Sequence, residues 1–182
     1  DTALYSGVSA TDWSWGPLIA DYNLDGQNDI FVSNGIKSRP NDLDYYKFIS
    51  GLPQRHTSVG KREHDKRILE HLPPGAWHNY IYEGDSSMKL QNRSADWGFE
   101  KATLSQGASY ADLDGDGALD LVTNNMNEPA GIYRNNVRAQ NPLSHYLTIQ
   151  LKGKSPNGFG IGTKVFLFAG AKLFYKELQP ER

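Results

Sequence analysis

There is no cysteine among the 182 residues. That excludes a disulfide-stapled scaffold, a thiol nucleophile and any zinc or iron–sulfur centre that needs thiolates. It does not fix a compartment. An excess of positive charge is also missing: 19 Lys and Arg stand against 21 Asp and Glu, a net charge of −2. This excludes an overall basic footprint for nucleic acid. No apolar run approaches the roughly 18 residues that a membrane helix requires. No signal peptide is visible and the first residue is Asp1, so the chain reads as processed, trimmed or cut from something longer. What the chain does have is aromatic weight and turns. Four Trp and ten Tyr argue for a packed core, and 18 Gly with nine Pro argue for many reversals.

The negative charge is clustered. The segment Gly16 to Val32 and the segment Gly107 to Thr123 align at a constant offset of 91, with Asn34 matching Asn125 just beyond. Repetition of this kind implies stacked or radial units. The two loops hold seven of the 21 acidic residues, so the rest of the chain is basic. Carboxylates this close repel one another and raise each other's pKa. A hard cation removes that cost, and calcium takes about six to eight oxygen ligands. Asp21, Asn23, Asp25, the Gln27 carbonyl and Asp29 form one candidate ligand set; Asp112, Asp114, Asp116, the Ala118 carbonyl and Asp120 form the other. Gly26 and Gly117 sit where the sharp turn is needed. An EF-hand is excluded, because Val32 and Thr123 occupy the position of its closing Glu. Magnesium, which prefers a tight, water-rich octahedron, fits less well. The short apolar flanks, such as Ile30-Phe31-Val32, favour a strand on each side of each loop.

This loop between strands resembles the FG-GAP/VCBS repeat of β-propellers, including the integrin-type calcium loops. Trp13-Ser14-Trp15-Gly16 before the first loop and Gly131-Ile132-Tyr133-Arg134-Asn135-Asn136 after the second fit the same pattern. His145 to Gly153 and Asn157 to Val165 are similar to the opening of an ASPIC/UnbV region, found in bacterial VCBS-repeat proteins related to cartilage acidic protein. The resemblance implies an all-β fold: a partial β-propeller of about two blades with calcium loops, a part-helical insertion and a small C-terminal β segment. It implies two calcium ions, held by the residues named above, and an exported setting that is extracellular, cell-surface or periplasmic. The domains expected are 1–143, with the insertion at about 36–76, and a truncated 144–182. A closed propeller needs more blades, from a longer parent chain or a neighbouring chain.

Within the insertion, Asn41 or Asp42 is placed to cap a helix bearing Leu43 and Tyr46, and Lys61 to His71 forms a second helical stretch that Pro73-Pro74 stops. Trp13 and Trp15 alternate as on a strand with both on one face, and core packing is the reading expected for them. Further strands are expected over 145–151, 162–168 and 172–178.

Catalytic signatures are absent. None of the five histidines lies in HExxH, and Pro73-Pro74 separates His71 from His78. Gly158-Phe159-Gly160-Ile161-Gly162 lacks the dinucleotide-binding spacing. The function expected is therefore a calcium-stabilised binding or scaffold module for a protein or carbohydrate ligand, with no nucleic acid and no membrane span. The alternative is a polysaccharide-processing enzyme, or an accessory domain of one, on a propeller scaffold.

Overall fold

The computed structural model describes residues 1–52 and 58–179. A short helix, α1 (Thr2–Ser6), opens the chain, capped by Asp1. It is followed by β1 (Ser14–Ala20), β2 (Asp29–Asn34) and β3 (Ile36–Ser38). Two helices come next, α2 (Leu43–Ser50) and α3 (Ser58–Glu70). The strands β4 (Pro74–Gly75), β5 (Trp77–His78), β6 (Tyr80–Gly84) and β7 (Leu90–Asn92) precede β8 (Ala102–Thr103), β9 (Ser105–Ala111), β10 (Asp120–Asn125) and β11 (Gly131–Tyr133). A last helical turn, α4 (Val137–Gln140), leads to the hairpin β12 (Lys164–Ala169) and β13 (Lys172–Glu177).

The strands make one four-stranded sheet, ordered β1-β2-β6-β7, one three-stranded sheet, β11-β10-β9, and three two-stranded ribbons, β3-β4, β5-β8 and β12-β13. The two larger sheets are antiparallel, and β1 packs beside β9. Leu18, Ala20, Phe31 and Ile81 point to one side of the first sheet, as period-two alternation requires, and meet Tyr22, Phe99 and Leu121 in a single core. Trp97, Tyr110 and Tyr133 pack on its margin.

Two expectations fail here. The fold is mixed α/β, not all-β: the described residues include four helices and five small, open sheets. It is also not a propeller. About four or more sheets of about four strands must surround a channel for that architecture, whereas one four-stranded sheet, one three-stranded sheet and three ribbons leave every sheet unclosed. The resemblance to the VCBS repeat rested on a strand–loop–strand pattern, which is local. Blade closure depends on distant pairing that a hairpin motif does not encode. The segment His145–Leu151, with its alternating apolar residues, makes no strand, because no neighbouring strand takes its backbone groups.

Within the insertion, Asp42 caps α2, its Oδ1 accepting the N–H groups of Asp44 and Tyr45 at 3.0 and 2.9 Å. The helix α3 begins at Ser58, before Lys61. Phe48 of α2 stacks on His71 just past α3, with ring centroids 3.9 Å apart, and so ties the two helices together.

A buried polar chain crosses between the two larger sheets. Asn79 Oδ1 accepts the Asn34 N–H at 2.9 Å, and its Nδ2 donates to Ser105 Oγ at 3.0 Å. Ser105 Oγ in turn donates to Asn125 Oδ1 at 2.8 Å. The two asparagines that match in the sequence repeat are thus linked through two residues that lie outside the matched segments.

Candidate functional site

The two acidic loops fold alike locally. The fourth and sixth positions are left-handed in both: Leu24 (φ 58°) and Gly26 (φ 89°) in the first, Gly115 (φ 76°) and Gly117 (φ 89°) in the second. This curl turns backbone N–H groups inward, onto the carboxylates. Asp21 accepts from Asp25 and Gly26, at 3.1 and 2.9 Å, and Asp25 accepts from Gln27 at 2.7 Å. Asp112 accepts from Gly115, Asp116 and Gly117, and Asp116 accepts from Ala118. Asp29 and Asp120 are buried. Asp29 takes the N–H groups of Tyr22 and Gly84 at 2.9 and 3.0 Å; Asp120 takes those of Leu113 and Asn135 at 2.9 and 2.8 Å. Burial pushes the Asp29 carboxyl up to about 6 and also raises Asp21.

The expectation of two equivalent calcium sites is corrected by this geometry. Among the described residues, the one group of three carboxylates with converging oxygens is Asp112, Asp114 and Asp116, within 4.8 Å of one another. There a cation is already in place, since Arg134 Nε stands 2.7 Å from Asp114 Oδ2. In the first loop Asn23 donates its NH₂ to Asp25 and Glu83, at 3.1 and 2.9 Å, while its Oδ1 accepts the Asp25 N–H at 3.1 Å, so its polar atoms are taken up within the protein. Gln27 and Ala118 lie in the turns, their N–H groups donating to Asp25 and Asp116. The carboxylates of the acidic repeat accept hydrogen bonds from their own loops' backbone N–H groups, and the closed blades that would frame an ion are absent among the described residues.

The polysaccharide-processing alternative is an enzyme on a propeller scaffold, and it falls with that scaffold. A general acid needs a raised pKa and a free oxygen facing a cleft. The two carboxyls that are pushed upward, Asp21 and Asp29, spend their oxygens on backbone N–H groups. A cleft of about 360 Å³ opens beside the core, with Phe99, Leu121 and Trp97 among its walls. Its one carboxylate, Asp96, is paired with Arg93 at 3.1 Å.

A different surface stands out. Trp13, Trp15 and Trp77 are each 38–47 % exposed, and the first two are tied to Gly35. The Gly35 N–H donates to the Trp13 carbonyl at 3.2 Å, and Trp15 Nε1 donates to the Gly35 carbonyl at 2.7 Å. Gly35 has φ 113°, and a Cβ there would run into the Thr103 carbonyl, so only glycine fits this corner. Arg39 lies over the Trp77 ring, 5.8 Å from its centroid, and its guanidinium makes a two-pronged contact with Asp12 at 3.0 and 2.6 Å. That contact holds the Asp12 carboxyl below its ordinary range. Trp77 Nε1 donates to the Tyr80 hydroxyl at 3.2 Å, and His78 packs between the two rings at 5.5 and 4.3 Å. The Trp77, His78 and Tyr80 rings are thus held in contact with one another beside the Asp12–Arg39 fork.

Sequence reading brought Trp13 and Trp15 together but not Trp77 or the Asp12–Arg39 fork, which arrive through β5 and the chain after β3. The exposed tryptophans were the available signal. No family model, curated protein or solved structure matches the chain. The propeller-repeat resemblance therefore finds no support there either. Among the described residues, no helix is long and apolar enough to cross a membrane.

Proposed function

We propose that the protein binds carbohydrate through the Trp13–Trp15–Trp77 surface. The observation that carries this reading is three half-exposed tryptophans, Trp13 and Trp15 tied to the Gly35 corner and Trp77 lying under Arg39, whose two-pronged contact with Asp12 is fixed beside it. Leaving indole surface in water is unfavourable, so a cluster of such rings signals a partner. The C–H faces of a pyranose ring cover an indole, and its hydroxyls need fixed polar partners. Asp12 offers acceptors, and the Arg39 and His78 rim offers further polar groups. Such ligands are met outside the cytoplasm, and we place the protein in an exported compartment, which cell fractionation with an antibody tests.

The test is a panel of neutral oligosaccharides, read by titration calorimetry and tryptophan fluorescence. At least one class binds, and Trp77→Ala weakens it about tenfold, roughly 1.4 kcal/mol. Trp97→Phe, in the separate cleft, leaves binding unchanged. No binding across the panel, or equal binding by Trp13→Ala, Trp15→Ala and Trp77→Ala, overturns the proposal.

A further inference from the structure

The β12–β13 hairpin has two unlike faces. The antiparallel register pairs Lys164 with Glu177, Phe166 with Tyr175 and Phe168 with Leu173 on one face; Val165 with Lys176, Leu167 with Phe174 and Ala169 with Lys172 lie on the other. The second face docks on the first acidic loop, where the Phe174 ring lies against Gly26 and Lys176 Nζ reaches Asn28 Oδ1 at 3.5 Å. The first face is open: Phe166, Phe168, Leu173 and Tyr175 are 46–72 % exposed. The Phe166 and Tyr175 rings touch, at 5.0 Å between centroids, and the Tyr175 hydroxyl donates to Glu177 Oε2 at 2.8 Å. Lys164 makes no ion pair among the described residues.

We infer that this face is a self-association surface and that its occupant is a second copy of the chain. The argument is the register. A two-fold axis laid along the strands, midway between two facing hairpins, sets β12 of one copy over β13 of the other at the same height. Each Lys164 then faces Glu177 of the second copy. Each Phe166 faces Tyr175, and each Phe168 faces Leu173. The pattern is complementary to itself in charge and in apolar content, which is what a two-fold interface requires. Two sheet faces can interdigitate at about 10 Å. The area sets the strength. If each aromatic offers about 200 Å², the four apolar side chains expose roughly 400–500 Å² per copy. Over the two copies that is about 800–1,000 Å², below the roughly 1,200–2,000 Å² in total of stable specific interfaces and in the range of transient ones. The dimer is weak and reversible, in the micromolar range or above.

Sedimentation equilibrium on the whole chain from about 1 µM to 1 mM tests this directly. The expected result is a reversible monomer–dimer equilibrium that Phe168→Lys shifts at least tenfold toward monomer, with unchanged circular dichroism. Phe168 is exposed, so the variant retains its core. The charge pairing has its own test, independent of the apolar one. K164E alone and E177K alone place like charges across the two-fold and stay monomeric, whereas an equimolar mixture of the two forms heterodimers. A wild-type chain that stays monomeric to 1 mM overturns the inference, as does a dimer that Phe168→Lys leaves intact or a mixture that does not associate. Association that continues beyond two copies also overturns it, since a two-fold face closes on itself.

Discussion

Asp29 and Asp120 hold the same post in the two repeats: each directs one carboxylate oxygen to the second residue of its own loop and the other to a backbone N–H of the neighbouring chain segment, at the end of β6 for Asp29 and just past β11 for Asp120. The partners are Tyr22 and Gly84 for Asp29, Leu113 and Asn135 for Asp120, all at 2.8–3.0 Å. Each aspartate therefore ties a loop to the next strand of its sheet. Asn at either position supplies one acceptor and one NH₂, leaving a backbone N–H facing another donor. Asp29→Asn and Asp120→Asn should each cost about 1–3 kcal/mol and lower the melting temperature by roughly 2–4 °C per kcal/mol. Exposed Asp25→Asn should change stability by no more than about 0.5 kcal/mol. Thermal melts of the three variants at pH 7 check this.

The pH dependence follows from the burial of Asp29, which pushes its carboxyl up from 3.8 to about 6. Between those values the folded chain binds more protons than the unfolded one, so this group's contribution falls as pH rises. It is fully present below about pH 3.8 and lost through about pH 6. The size is on the order of 2–3 kcal/mol. Other carboxylates oppose it; Asp12, lowered by its hydrogen bond to Arg39, is one. Urea midpoints of wild type and Asp29→Asn at pH 4 and pH 6.5 isolate the term. The advantage of wild type over the variant should be larger at pH 4, and an equal advantage at both pH values would refute the assignment.

Leu24 is the residue that the repeat marks as out of place. It holds φ 58° where the second loop has Gly115 at φ 76°. A left-handed backbone costs a residue with a side chain about 1–2 kcal/mol, and part of the gain on removing that strain returns as glycine's larger unfolded-state entropy. Leu24→Gly should therefore stabilise by roughly 0.5 kcal/mol or more, and Gly115→Leu should destabilise. Paired denaturation curves decide both signs.

Asn79 is the hinge of the buried polar chain. Asn79→Ala strands the Asn34 N–H and removes one partner of Ser105 in a fully buried setting. The expected cost is about 2–4 kcal/mol. Hydrogen exchange should show lost protection at Asn34 and at the ends of β2 and β10, while the Phe48–His71 helix contact stays intact.

The sequence by itself determined what is local. The matched loops, their turn positions, the helix cap at Asp42 and the short apolar strands beside each loop all depend on residues within a few positions of one another. Tertiary structure decided what those pieces became. The same Asp spacing that pointed to calcium serves backbone N–H groups, because the curl of each loop turns its own donors inward and distant residues, Gly84, Asn135 and Arg134, arrive to complete the shell. The strands that pointed to propeller blades form open sheets, because pairing order is fixed by contacts far apart in the chain and no hairpin motif specifies how many sheets will close. Trp77 comes under Arg39 only once β5 is paired with β8, a separation of about forty residues along the chain from Arg39 that hydrophobic periodicity cannot bridge.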